Sequence, residues 1–121
     1  MSYVDGFIVP IPKTRLDEYR QMAELACKIW MEHGALEYRE YIADDVPDGE
    51  VTSFPMSVKL QEGEMVSFAY ARYESREHRD TVMKNVMADK RMAQCMNPDA
   101  LPFDGKRMIW GGFKSLVSSE V

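Results

Sequence analysis

The sequence holds two histidines, and one of them stands where proton chemistry would be possible. His33 ends the run Trp30-Met31-Glu32-His33-Gly34, one step beyond Trp30 on an apolar helical stripe. An imidazole titrating near pH 6.5 suits a general base at neutral pH, and Glu32 or Glu37 could orient it. The competing reading is a histidine that caps its helix, where the C-terminal end of the dipole favours a cation. His78 lies beside Arg79 and Asp80 in the first turn of a second helix and reads as a solvated surface residue. Asp5, Trp30, Tyr38, Tyr70, Arg72 and Trp110 are ligand-binding candidates: Arg72 could hold a carboxylate or phosphate, and the aromatic rings could stack on a flat molecule. Read structurally instead, Asp5 and Arg72 form a buried ion pair and the aromatics belong to an interface.

Several chemistries find no support in the residue pattern. There is no glycine-rich phosphate loop and no Gly-x-Ser-x-Gly elbow, and Gly111-Gly112 alone is too little for a phosphate site. Cys27 and Cys95 form no Cys-x-x-Cys or Cys/His cluster, so both are expected as free thiols, with no structural metal and no bound cofactor. A net charge of −5 with no Lys/Arg cluster argues against a nucleic-acid partner. No apolar run approaches the roughly 20 residues of a membrane span, and Met1 to Gly6 lacks the features of an export signal, so a cytoplasmic protein is expected. At 121 residues the chain fits one domain, residues 1–121. Six of its ten methionines, Met56, Met83, Met87, Met92, Met96 and Met108, fall on expected core or interface positions, where thioethers fill gaps.

The elements that must position these residues follow from periodicity. Tyr3 to Ile11 alternates with apolar residues on both faces, the pattern of a strand covered on both sides. A helix follows from a Thr14/Asp17 capping box through Leu16, Tyr19, Ala23, Ala26 and Trp30 to Gly34. Ala35 to Ala43 is a strand with Leu36, Tyr38 and Ile42 on one face and Glu37, Arg39 and Tyr41 on a wetter one. Val51 to Leu60 has a strand-like pattern that Pro55 makes edge or irregular. Met65 to Tyr73 is the clearest strand, its small residues Ser67, Ala69 and Ala71 inviting a close-packed helix. Ser75 caps a second helix with Val82, Met83, Val86 and Met87 inward, and Asp89 caps a short turn through Met96. Lys106 to Val117 is a last strand in which Gly111-Gly112 marks a bulge or a close backbone approach.

Strand, helix, strand, strand, helix, strand is the ferredoxin-like βαββαβ order, an α+β fold with both helices on one face of an antiparallel sheet. Strands one, three and four are apolar on both faces, so the side without helices needs a cover, and a second copy of the same sheet supplies it economically. A homodimer through that face is the expectation.

The stretches Tyr3-Val4-Asp5-Gly6-Phe7, Glu32-His33-Gly34-Ala35-Leu36-Glu37-Tyr38, Val51-Thr52-Ser53-Phe54-Pro55, Val86-Met87-Ala88-Asp89 and Pro102-Phe103-Asp104-Gly105-Lys106-Arg107-Met108-Ile109-Trp110-Gly111-Gly112-Phe113 resemble the bacterial YbaA-like family, a family of unknown function. Met83 and Lys90 depart from that pattern, which would have Asn and Pro there. The resemblance implies a dimeric α+β barrel, a superfamily that includes cofactor-free monooxygenases, muconolactone isomerases and haem-handling enzymes. Two functions follow from it as expectations. One is a cofactor-independent enzyme, monooxygenase- or isomerase-like, acting on a small molecule held between sheet and helices with His33 as base. The other is a non-catalytic dimeric module that binds a small ligand or a partner.

Overall fold

A computed structural model describes residues 2–119. Strand β1 (Tyr3–Pro12) leads through a 3-10 turn (Lys13–Arg15) into helix α1 (Leu16–Glu32), and strand β2 (Glu37–Ile42) follows. A long connection carrying the one-turn helix α2 (Phe54–Ser57) reaches β3 (Glu64–Tyr73). Helices α3 (Arg76–Ala88) and α4 (Lys90–Cys95) then precede β4 (Ile109–Lys114). The sheet is antiparallel in the order β2-β3-β1-β4, with α1 and α3 on one face: the ferredoxin-like arrangement expected from the order of elements.

Register divides the sheet into two surfaces because side chains alternate across it. Toward the helices, Tyr38, Ala71, Asp5 and Gly112 form one row across the four strands, and Glu40, Ala69, Phe7 and Trp110 form the next. Ala69 and Ala71 are buried and small, which lets α1 lay Ile29 and Trp30 close to the strands while α3 adds Val82 and Val86. Fully burying such side chains stabilises by about 1.5–3 kcal/mol each. On the opposite face the rows read Glu37, Arg72, Val4, Phe113; then Arg39, Tyr70, Gly6, Gly111; then Tyr41, Phe68, Ile8, Ile109.

At its C-terminal end α1 stops as its glycine predicts. Gly34 takes φ 107°, its N–H donates to Met31 O at 3.2 Å, and Ala35 N–H reaches Trp30 O at 3.0 Å. The start differs from expectation. Thr14 makes no cap; the chain winds in through the 3-10 turn, and Arg15 holds the N-cap position without a side-chain hydrogen bond.

The strand-like pattern over Val51 to Leu60 does not become a strand either. Ser53 accepts the Met56 N–H at 3.1 Å and Pro55 sits inside the first turn, where its fixed φ suits a helix and its missing N–H costs nothing, so Phe54–Ser57 coils. Val58 from this segment packs with Ile8 and Val66, covering one end of the helix-free face. Arg107 clamps the segment, donating to the carbonyls of Val58 and Lys59 and to both carboxylate oxygens of Glu64, at 2.7 and 2.6 Å. The outer strands are shorter than their patterns: β2 starts at Glu37, leaving Leu36 outside, and β4 ends at Lys114, leaving Leu116 and Val117 exposed beyond it. Of the six methionines expected at core or interface positions, Met92 is buried and Met83 and Met108 pack on the core, while Met56, Met87 and Met96 are exposed.

Gly111 and Gly112 pair in unbroken register with Gly6 and Asp5, so no bulge occurs, and each glycine answers to a different face. A Cβ on Gly112 would collide with the Tyr3 hydroxyl and come within 3.0 Å of the Arg79 guanidinium, whereas one on Gly111 would meet only the Phe113 ring at 3.5 Å, an ordinary contact. Gly112→Ala is therefore expected to cost about 1–3 kcal/mol by displacing Tyr3 from Arg79. Gly111→Ala should cost clearly less. Urea denaturation of the two variants checks the order, and equal losses would show that the close approach does not matter.

Candidate functional site

The sequence-derived candidates separate into three places. Asp5, Trp30 and Tyr38 lie in the layer between sheet and helices; Tyr70 and Arg72 stand on the helix-free face; His33 belongs to a joint among the helices. Trp110 sits on edge strand β4 opposite Phe7 and is 60% exposed.

Between sheet and helices, Asp5 is 1% exposed and faces Arg79, whose Nη1 is 3.4 Å from its carboxylate. Its partner is thus Arg79 and not Arg72, because β1 and β3 alternate out of phase here: Asp5 lies opposite Ala71, and Arg72 points to the other side of the sheet. Both Asp5 oxygens lack a hydrogen bond among the described residues. Burial raises the Asp5 carboxyl above the ordinary carboxylate range, with Arg79 and the Tyr73 hydroxyl pulling the other way. Arg79 also lies over the Tyr3 ring at 5.1 Å and donates to the Tyr3 hydroxyl at 3.0 Å. Trp30 Nε1 donates to the Tyr73 hydroxyl at 3.0 Å, and its ring meets Tyr38 at 5.7 Å. Beyond Tyr38, Glu40 accepts hydrogen bonds from two phenols, Tyr19 on one oxygen and Tyr38 at 2.7 Å on the other. Burial and the Glu40 charge push both phenols up. Tyr3, Tyr19, Glu40 and Tyr73 were not among the sequence-derived site candidates; an acid on the inward face of β2, in phase with Tyr38, was the available signal.

His33 turns away from that layer. Its Nε2 lies 2.9 Å from Asp89 Oδ2, so the ring spans from the end of α1 to the junction of α3 and α4 and does not enter the space between α1 and the sheet. Asp89 caps α4 through Arg91 N and also takes the Arg91 guanidinium, which reaches on to Glu32 at 2.6 Å. Four hydrogen bonds to one carboxylate hold it well below its usual range, Arg91 first and His33 second. His33 thus holds the C-cap position of α1 while its ring ties that end to the α3–α4 corner. His78 likewise serves the backbone: its Nδ1 accepts the Glu74 N–H at 3.0 Å and its ring meets Tyr73 edge-on, so it is half-buried and not freely solvated.

The helix-free face carries a hollow of about 570 Å³ walled by Val4, Ile8, Phe68, Tyr70, Ile109 and Phe113, with Gly6, Gly111 and their chain neighbours Phe7 and Trp110, residues of the helix-facing row, at its floor. It lies over the paired glycines Gly6 and Gly111, where neither strand supplies a side chain. At its β2 side Glu37 gathers three donors: the Tyr70 hydroxyl at 2.9 Å, Arg39 Nε at 2.8 Å and Arg72 Nε at 3.4 Å. Arg39 and then Tyr70 hold the Glu37 carboxyl below its ordinary value. No group of three or more metal-ligating side chains is found among the described residues, and no described helix is long and apolar enough to cross a membrane.

A family model described as "Protein of unknown function (DUF1428)" matches residues 2–105. The "Uncharacterized protein YbaA" of Escherichia coli strain K12 is 48% identical over 117 residues, covering 97% of this chain and 98% of that protein. The protein of the same name from Shigella flexneri matches to the same extent. Among solved structures, a dimeric ferredoxin-like protein from an uncultured marine organism aligns over 100% of both chains with a TM-score of 0.52 and 12% identity, a likeness of fold alone.

The clasp around Asp89 has a definite pH signature. A carboxyl with a lowered folded-state pKa adds stability above its unfolded value of about 3.9, and that stability fades as pH falls below it. Asp89→Asn should lower the melting temperature at neutral pH, with the gap to wild type closing as the pH drops below about 4. Thermal melts across that range check it; a gap that stays constant would place the effect outside the ionised carboxylate.

Proposed function

The chain belongs to the family of proteins of unknown function DUF1428, and from that premise we propose that it works as a homodimeric, non-catalytic module that holds a small ligand between two helix-free sheet faces. The observation that carries this reading is the face itself. Phe68, Ile109 and Phe113 stand 43–61% exposed around the hollow, whereas Ala69 and Ala71 on the other side of the sheet are buried under α1 and α3. Apolar surface concentrated in this way costs free energy in water and favours association. A second copy fits as occupant because the face beyond the clamped Val58 segment is apolar and exposed, and because a solved protein of this fold is described as dimeric. The hollow over Gly6 and Gly111 then becomes a closed chamber, of a size ordinary for small-molecule sites. The working place belongs to the same proposal: the cytoplasm.

Catalysis has less to draw on. His33 is engaged by Asp89, away from both the hollow and the sheet-helix layer. One observation favours an enzyme: Asp5 is a buried carboxylate whose oxygens accept no hydrogen bond among the described residues although Arg79 lies 3.4 Å away, so the group to carry acid-base chemistry would be Asp5 in place of His33.

Sedimentation equilibrium at micromolar protein tests the assembly. A species of twice 14.0 kDa is expected, and Phe68→Asp should shift it to the monomer while the circular dichroism of the fold persists. A wild-type protein that stays at 14.0 kDa would end the proposal.

A further inference from the structure

The helix-free face is chemically lopsided, and the lopsidedness identifies a class of ligand. Its rows run from charge to hydrocarbon: Glu37 and Arg72 stand at the β2 and β3 positions of the row that ends in Val4 and Phe113, and Arg39 and Tyr70 precede Gly6 and Gly111 in the next. Neighbours across antiparallel strands lie about 4.5–5.5 Å apart, so Arg72 borders Val4 and Tyr70 borders the glycine pair directly. Two guanidiniums share the single carboxylate of Glu37, so this corner carries one net positive charge. Arg72 meets Glu37 only through Nε, at the long distance of 3.4 Å, and its two terminal NH2 groups are not engaged by that carboxylate. Arg39 likewise spends Nε on Glu37. A guanidinium in this state grips an incoming carboxylate or sulfonate strongly where water is excluded.

Resting on the dimer reading, we infer that the hollow binds a small apolar acid, its hydrocarbon or aromatic body beside the Phe113 ring that covers Gly6 and Gly111 and its anionic head at Arg72 and Arg39. The Phe113 ring, which stands where a Cβ on either glycine would touch it, and Phe68 form the walls for the body. The Tyr70 hydroxyl is already donated to Glu37, so it holds Glu37 in place and leaves the head to the arginines. An uncharged molecule of the same shape gains the walls and misses the head. A phosphorylated sugar gains the head and cannot pay for desolvation against the walls.

Two fluorescent probes with nearly the same aromatic body separate these terms: anilinonaphthalenesulfonate, which carries an anionic head, and N-phenylnaphthylamine, which does not. The wild-type protein should bind the sulfonate at least about tenfold more tightly, the scale of one charge-assisted contact. Arg72→Gln should remove about that factor for the sulfonate and change the neutral probe by less than about twofold. Ile109→Trp, which fills the hollow, should weaken both. Equal affinities for the two probes in the wild type, indifference of the sulfonate to Arg72→Gln, or binding of both probes to Ile109→Trp at wild-type strength would each overturn the site. Sedimentation of the same samples keeps the two ideas apart: a monomer that still discriminates the probes refutes the dimer and leaves the head-group site standing, while a dimer that fails to discriminate refutes the site alone.

Discussion

Two helices can cover only one side of a four-stranded sheet, and most features of this protein follow from that constraint. Small residues on β3, Ser67, Ala69 and Ala71, bring the helices down tightly on the covered side. On the other side the chain spends part of its β2–β3 connection, with Val58 inserted beside Ile8 and Val66 and Arg107 pinning the segment from outside. That partial cover leaves the Gly6–Gly111 hollow and its aromatic rim open. Phe113 lying over the glycine pair restores some of the contact that strand glycines forfeit, in the manner of an aromatic rescuing glycines in a sheet.

Period and composition made the architecture legible. Alternation with apolar residues on both faces identified β1 and β3, and three- and four-residue steps identified α1 and α3, because these periods report the geometry of the backbone itself. What failed was local. Val51 to Leu60 alternates as a strand would, yet Ser53 and Pro55 supply a cap and a first-turn proline, so the backbone satisfies itself in a turn of helix. Thr14 looked like a cap because a cap is a matter of sequence spacing, whereas the 3-10 turn depends on how β1 leaves the sheet. Partners of charged residues were the least legible. Asp5 and Arg72 share a neighbourhood in the sheet but not a side of it, and only register reveals that.

The layer between sheet and helices is polar to an unusual degree for so small a core. Tyr19 and Tyr38 converge on Glu40, Trp30 reaches Tyr73, and Arg79 spans Tyr3 and Asp5. Networks of this kind are costly unless satisfied, and all but the Asp5–Arg79 corner meets that condition. The well-satisfied part acts as a template, allowing one register of α1 over the strands. His33 belongs to the same logic at the edge of the helical layer, joining the end of α1 to the α3–α4 corner.

β1 occupies an inner place in the sheet, yet one of its two neighbours, β4, lies about a hundred residues downstream. During synthesis the strand can pair with β3 once that partner emerges, but the backbone N–H and C=O groups of Tyr3 to Ile8 stay without their second ladder until Ile109–Lys114 arrives. For that interval the nascent protein presents an apolar, unpaired strand edge, the kind that recruits other chains. With β1 already held on β3, the loop left to close is the α3–α4 connection between Tyr73 and Ile109. The order in which the ribosome delivers the strands therefore makes β4 the element that ends the period of exposure.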